Sequence, residues 1–346
     1  MAILLITVFV FSGAAGLIYE SIWSRYLGLF VGHSAYAQVI VLVIYLGGMS
    51  VGSALAARRS ARIKEPLVTY AIVEGLVGLL GLVFHHGFLG VTEFAYSTIF
   101  PALAGGPALV IMKWSLAGLL ILPQAILLGA TFPLMSAGLI RLVSRDGRSD
   151  TGRLISILYF ANSIGAAVGV LIAGFYLIGA VGLPGTVLTA AIINLLVGLT
   201  VFGAVRLTQE NEEPGTAPPA AHEAANSPAS PDLPMLWRVL LIVTAGTALS
   251  SFIYEIAWVR MLSLVLGSAT HSFELMLSAF ILGLSLGAFW VRTRADRFRD
   301  PVRALGVTQW AMGALAILTL SAYMMSFDWM AFLIQGLDQN PEGYAL

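Results

Sequence analysis

The stretch Ile18-Tyr19-Glu20-Ser21-Ile22-Trp23-Ser24-Arg25 recurs 235 residues later as Ile253-Tyr254-Glu255-Ile256-Ala257-Trp258-Val259-Arg260. At the same offset Gly32 matches Gly267, Gly48 matches Gly283, Ser50 matches Ser285 and Gly52 matches Gly287. The chain is therefore an internal duplication, and each copy carries an acid, two aromatics and an arginine inside apolar sequence. Polar groups of this kind in an apolar setting are the first candidates for function.

The surrounding composition sets the solvent. Of 346 residues 58% are hydrophobic and 10% charged, with a mean hydropathy of +0.90, well outside the range of soluble domains. An all-α polytopic membrane protein is expected. Apolar stretches of about 20 residues or more, enough to cross a bilayer core, fall near 3–22, 35–57, 67–89, 107–139, 153–178, 183–205, 236–257, 271–291 and 304–326. The first lacks a basic leader and a small-residue cleavage site, so it reads as a retained helix. With no cysteine in the sequence, disulfides, thiolate metal ligands and cysteine nucleophiles are excluded.

Net charge is zero, but its distribution is not even. Fifteen of the 18 Lys and Arg lie in segments that alternate spans place on one side: Arg58, Arg59, Arg62 and Lys64; Arg141, Arg145, Arg148 and Arg153; Arg206 and Arg238; Arg292, Arg294, Arg297, Arg299 and Arg303. The positive-inside rule makes that side cytoplasmic. Only Arg25, Lys113 and Arg260 fall elsewhere. The chain then divides into a first six-helix repeat at 1–207, a linker at 208–235 and a second repeat at 236–346 that stops after its third span. The linker is rich in Pro, Ala and acids with no apolar periodicity, and is expected to be disordered and cytoplasmic. An even number of spans per repeat leaves both copies in one orientation, a parallel repeat about the membrane normal. That is the major-facilitator plan, with three helices of the second set missing.

Several runs carry a family resemblance: FSGAAGLIYESIWSRYLGLFVGHSAYA at 11–37, GGMSVGSALAARRSARI at 47–63, GATFPL at 129–134 and YFANSIGAAVGVLIAGF at 159–175. Together they resemble the membrane region of the fused major-facilitator/spermidine-synthase family. The resemblance implies a membrane module joined to a soluble domain similar to polyamine aminopropyltransferases. This sequence has no strand followed by a Gly-rich turn and an acid at nucleoside-binding spacing. The family's catalytic residues therefore map onto no position here, no catalytic residue or cofactor is assigned, and enzymatic activity of this chain is left open.

The repeated element can be placed on a helix. At about 100° per residue, Tyr19, Glu20 and Trp23 share an arc of about 100°, whereas Arg25 lies about 140° from Glu20. Glu20 cannot pair with its own Arg25 on a regular helix. Across the pseudo-twofold, Glu20 is expected to pair with Arg260 and Glu255 with Arg25, closing the external end of a central cavity. A packing and interfacial-anchor role for Tyr19, Trp23, Tyr254 and Trp258 stands beside this reading, because duplication copies structural residues as faithfully as binding ones.

Glu74 lies deeper, about seven residues into the third span. It is the best single candidate for carrying a proton or binding an amine, or else it is a neutral acid bonded between helices. The second copy has Gln309 at this place. Glu274, opposite Val39 in the alignment of repeats, breaks the symmetry and ranks lower. Asn162 is polar enough to join helices or to touch a solute. The Gly48/Gly52, Gly165/Gly169 and Gly283/Gly287 pairs read as close helix approaches. No metal cluster is expected: His85 and His86 point about 100° apart on a helix.

From the residues and the resemblance together, the expected function is a membrane module of a spermidine-synthase-like fusion, transporting a small, cationic, polyamine-related solute. The alternative is a non-transporting anchor for an aminopropyltransferase-like domain. Expected partners are the lipid bilayer, such a solute and the soluble domain, not nucleic acid. The expected location is the cytoplasmic (inner) membrane, with the N-terminus and linker cytoplasmic.

Overall fold

The structure, a computed structural model, describes residues 1–32, 34–60, 62–103, 106–144, 151–210, 233–267, 269–292, 294 and 300–337. The expected linker lies mostly outside the described residues, as do Arg145, Arg148, Arg297 and Arg299 and the end of the second repeat. Among the described residues there is no strand.

Among the described residues nine long helices follow one another: α1 Ala2–Val31, α2 Ser34–Ser60, α3 Pro66–Phe94, α4 Pro107–Ser144, α5 Thr151–Ile172, α6 Ile178–Glu210, α7 Leu233–Leu266, α8 Ala269–Arg292 and α9 Pro301–Leu337. π-turns at Ala95–Ile99 and Ala173–Leu177 prolong α3 and α5. Eight helical stretches are long and apolar enough to cross a membrane. One of these, Thr151–Thr208, has 58 residues and would measure about 87 Å as a straight helix, nearly three times the hydrocarbon core. Gly182, at φ 68° and ψ −177°, breaks it into two parts, each long enough to cross.

The duplication is visible in the helix boundaries. Helices α2 and α8 start 235 residues apart, and α3 and α9 both start at a proline with the same offset, Pro66 and Pro301. Proline at the first helical position has no donor to lose. Helices α1 and α7 both end at a left-handed glycine, Gly32 at φ 84° and Gly267 at φ 68°, a conformation that stops a helix and disfavours a Cβ.

Helix α1 is the central element, packed on α2, α5 and α6, while α2 packs on α4 and α3 on α6. Close approach depends on glycine. A Cβ on Gly52 would fall on the Ile126 carbonyl of α4, and one on Gly165 would fall on the Val10 carbonyl of α1. At the second-repeat glycines Gly283 and Gly287 no such approach is seen, since no atom of another described residue lies near either position. The sequence pattern was the same in both copies; the neighbour differs.

The repeats meet mainly where α8 lies along α5. Ser278 donates to the Ala167 carbonyl at 3.0 Å, Ser285 to the Phe160 carbonyl at 3.3 Å, and the Phe160 and Phe289 rings stand 5.0 Å apart. Small polar donors of this kind suit helix contacts where burial in lipid supplies no driving force.

Candidate functional site

A cavity of about 330 Å³ lies between the repeats, walled by α1, α2, α4 and α5 on one side and α7 and α8 on the other. Most of its lining is apolar, including Leu17, Leu46, Leu128, Phe252 and Phe280. Its polar groups are few: Ser12 and Glu20 from α1, Tyr45 from α2, Thr131 from α4, Tyr159, Asn162 and Ser163 from α5, and Ser251 and Glu255 from α7. An apolar cavity of this size with a few convergent polar groups is the usual form of a small-molecule site.

Glu20 and Glu255, the matched acids of the two repeats, both reach this cavity. Each is almost fully buried. Among the described residues no Lys, Arg or His forms an ion pair with either. Two acids without a cation leave an uncompensated charge demand in a low-dielectric setting, which a proton or a bound cation can meet. Asn162 of α5, on the same side of the cavity as Glu20, adds a side chain that both donates and accepts.

The expected cross-pairing is not formed. Arg25 bonds Glu274 instead, with Nη2 2.5 Å from Oε1, and Arg260 is exposed in a groove beside Lys113 and Tyr36. Ser21 donates to the same Glu274 oxygen at 3.3 Å, and His271 Nδ1 stands 3.4 Å from the other. Glu274, which breaks the symmetry of the repeats, is fully buried and ties α1 to α8. Its carboxylate packs where a side chain on Gly174 would otherwise sit.

Glu74 is also fully buried, but not in the cavity lining. The Ser12 hydroxyl donates to its Oε1 at 2.6 Å, and the Asn194 amide of α6 donates to Oε2. It is thus bonded between α1, α3 and α6, and of its two hydrogen-bond partners among the described residues Ser12 also faces the cavity.

The aromatic members of the repeated element keep one geometry in both copies. Tyr19 stacks on Trp23 at 5.5 Å and 19°, and Tyr254 on Trp258 at 5.6 Å and 14°. Tyr19 and Trp23 are fully buried in the main core, whereas Tyr254 and Trp258 are only partly covered. None of the four lines the cavity, so packing is their visible role. Among the described residues no group of His, Asp and Glu is placed to hold a metal. Sequence reasoning passed over Ser12, Tyr45, Tyr159 and Asn194, which carry no signal beyond being polar in apolar helices.

No protein-family model matches the chain, and no solved structure matches it. The chain is similar to named polyamine aminopropyltransferases. It is 27% identical over 199 residues to polyamine aminopropyltransferase 1 of Streptomyces coelicolor, covering 58% of this chain and 33% of that protein. With polyamine aminopropyltransferase 2 of the same organism it shares 31% over 196 residues, covering 56% and 32%. With the polyamine aminopropyltransferase of Corynebacterium efficiens it shares 26% over 188 residues, covering 54% and 33%. The chain spans about a third of the length of these relatives.

Proposed function

We propose that this chain is the membrane module of a spermidine-synthase-like fusion protein, and that its cavity carries a small cationic, polyamine-related solute across the membrane. One observation carries the reading: Glu20 and Glu255, equivalent acids of a duplicated sequence, face one cavity of 330 Å³ with no basic side chain in its lining among the described residues. A dicarboxylate cavity with apolar walls suits a slim molecule with cationic ends and a hydrocarbon middle. The relatives are named polyamine aminopropyltransferases, which supports the choice of solute class. The parallel repeat supports a major-facilitator-like arrangement with the cavity on its axis. The Lys and Arg distribution supports an inner-membrane location with the N-terminus and linker cytoplasmic.

The test is uptake of radiolabelled putrescine and spermidine into proteoliposomes holding the chain, beside a Glu20→Gln/Glu255→Gln double variant. Saturable uptake lost in the variant supports transport. A second reading, a non-transporting anchor for a soluble aminopropyltransferase-like domain, is favoured by the named relatives being aminopropyltransferases of which this chain matches only about a third. Folded, inserted protein that neither binds nor moves either amine selects the anchor.

A further inference from the structure

Glu74 is a fully buried carboxyl to which no Lys, Arg or His is paired among the described residues. Every element packed around it brings neutral groups. Helix α1 supplies the Ser12 hydroxyl and the Tyr19 phenol, α3 itself the Tyr70 phenol, α6 the Asn194 amide, and α4 the Gln124 amide, which is bonded to the Val77 carbonyl at 3.0 Å. A charge buried without a cation is costly enough that such a group sheds it by taking up a proton.

The hydrogen bonds give that proton a route. Ser12 touches Glu74 Oε1 at 2.6 Å and also lines the cavity. A hydroxyl has one hydrogen and two lone pairs, so it can face the carboxyl in either of two ways. When Glu74 is ionised, Ser12 donates to it and turns lone pairs toward the cavity. When Glu74 is a neutral acid, its O–H can donate to Ser12 Oγ, and the Ser12 hydrogen then turns into the cavity. A cation in the cavity is attracted by the first arrangement and repelled by the second. The Asn194 amide oxygen has no hydrogen-bond partner among the described residues, which leaves a second acceptor beside the neutral acid if that amide rotates.

We propose that Glu74 is a proton-binding site coupled to the cavity through Ser12, so that a cation entering the cavity drives a proton off Glu74. The exchange balances: the neutral acid and a cation from solution become a carboxylate, a cation in the cavity and a proton released through Ser12 to water. By linkage, the proton in turn weakens cation binding. The coupling rests on the proposed cationic solute; the proton site does not.

The test uses the whole chain in lipid nanodiscs. Infrared spectra should show the carbonyl band of a neutral buried carboxylic acid that is lost in Glu74→Gln, moved in Glu74→Asp and shifted in Ser12→Ala. Saturating putrescine should abolish the band and release a proton that Glu74→Gln does not release, read with an indicator dye in weak buffer. Ser12→Ala should bind putrescine with less proton release. A band indifferent to Glu74→Gln overturns the proton site. A band that persists when calorimetry shows putrescine bound overturns the coupling. If putrescine does not bind at all, the cationic-solute reading and the coupling fail together, and the band still decides the proton site.

Discussion

Arg25 of α1 and Glu274 of α8 form an ion pair at 2.5 Å that joins the two repeats. Arg25 has its counterpart in Arg260, but Glu274 stands opposite Val39, so the link is not part of the duplication but was built onto it.

The pair should be unequal to single substitutions. Glu274 is fully buried, while the Arg25 side chain is 23% exposed. Arg25→Met leaves a carboxylate with no route to water and should cost about 3–5 kcal/mol. Glu274→Gln leaves a guanidinium that can turn toward solvent and should cost less, about 1–3 kcal/mol. The double replacement Arg25→Met/Glu274→Leu should recover most of the loss, because apolar substitutes for both partners of a buried pair are often near neutral. Thermal unfolding of the four proteins in detergent measures this, and equal losses for the two single variants would contradict the burial argument.

Two glycines at equivalent positions should behave oppositely. Gly52→Ala places a methyl on the Ile126 carbonyl and forces α2 away from α4, for a loss of about 1–3 kcal/mol. Gly287→Ala meets no neighbouring atom and should be neutral or stabilising by up to about 1 kcal/mol through helix propensity. Melting temperatures of the two variants provide the comparison.

The repeated Trp offers a second matched pair. Trp23 is fully buried and touches Tyr19, Tyr45 and Phe84, so Trp23→Ala should cost about 3–5 kcal/mol. Trp258 is partly exposed and contacts Tyr254 and Phe280, so the same change there should cost clearly less. Tryptophan fluorescence should also shift to longer wavelength on unfolding mainly through loss of the Trp23 environment, which comparing the single variants can show.

Much of this was legible in the sequence. The apolar stretches, the duplication and the helix-ending glycines are local properties, set by hydropathy and backbone conformation. The meeting of Glu20, Glu255 and Asn162 was partly legible, since equivalent residues about a twofold converge when they lie near the axis. The partner of Arg25 was not, because Glu274 has no counterpart to announce it. Nor was the network of Ser12, Glu74 and Asn194. In a helix apolar on every side, periodicity does not separate a face toward lipid from one toward another helix, so contacts such as Glu74 to Asn194 depend on packing that only the structure supplies.

The cavity makes a last prediction that depends on the number of charges in the probe. A diamine can place one ammonium on Glu20 and the other on Glu255, whereas a monoamine of the same length engages one acid at a time. A hydrogen bond to a charged group contributes about 1.5–3 kcal/mol, which corresponds to roughly ten- to a hundredfold in affinity. Glu20→Gln and Glu255→Gln should therefore each weaken putrescine binding by at least about tenfold. For butylamine either single variant should weaken binding only a fewfold, since the remaining acid still serves, and the double variant should be needed for the full loss. Calorimetric titration of both amines against the three variants measures this. Equal losses for diamine and monoamine would mean that the two carboxylates do not hold one molecule between them.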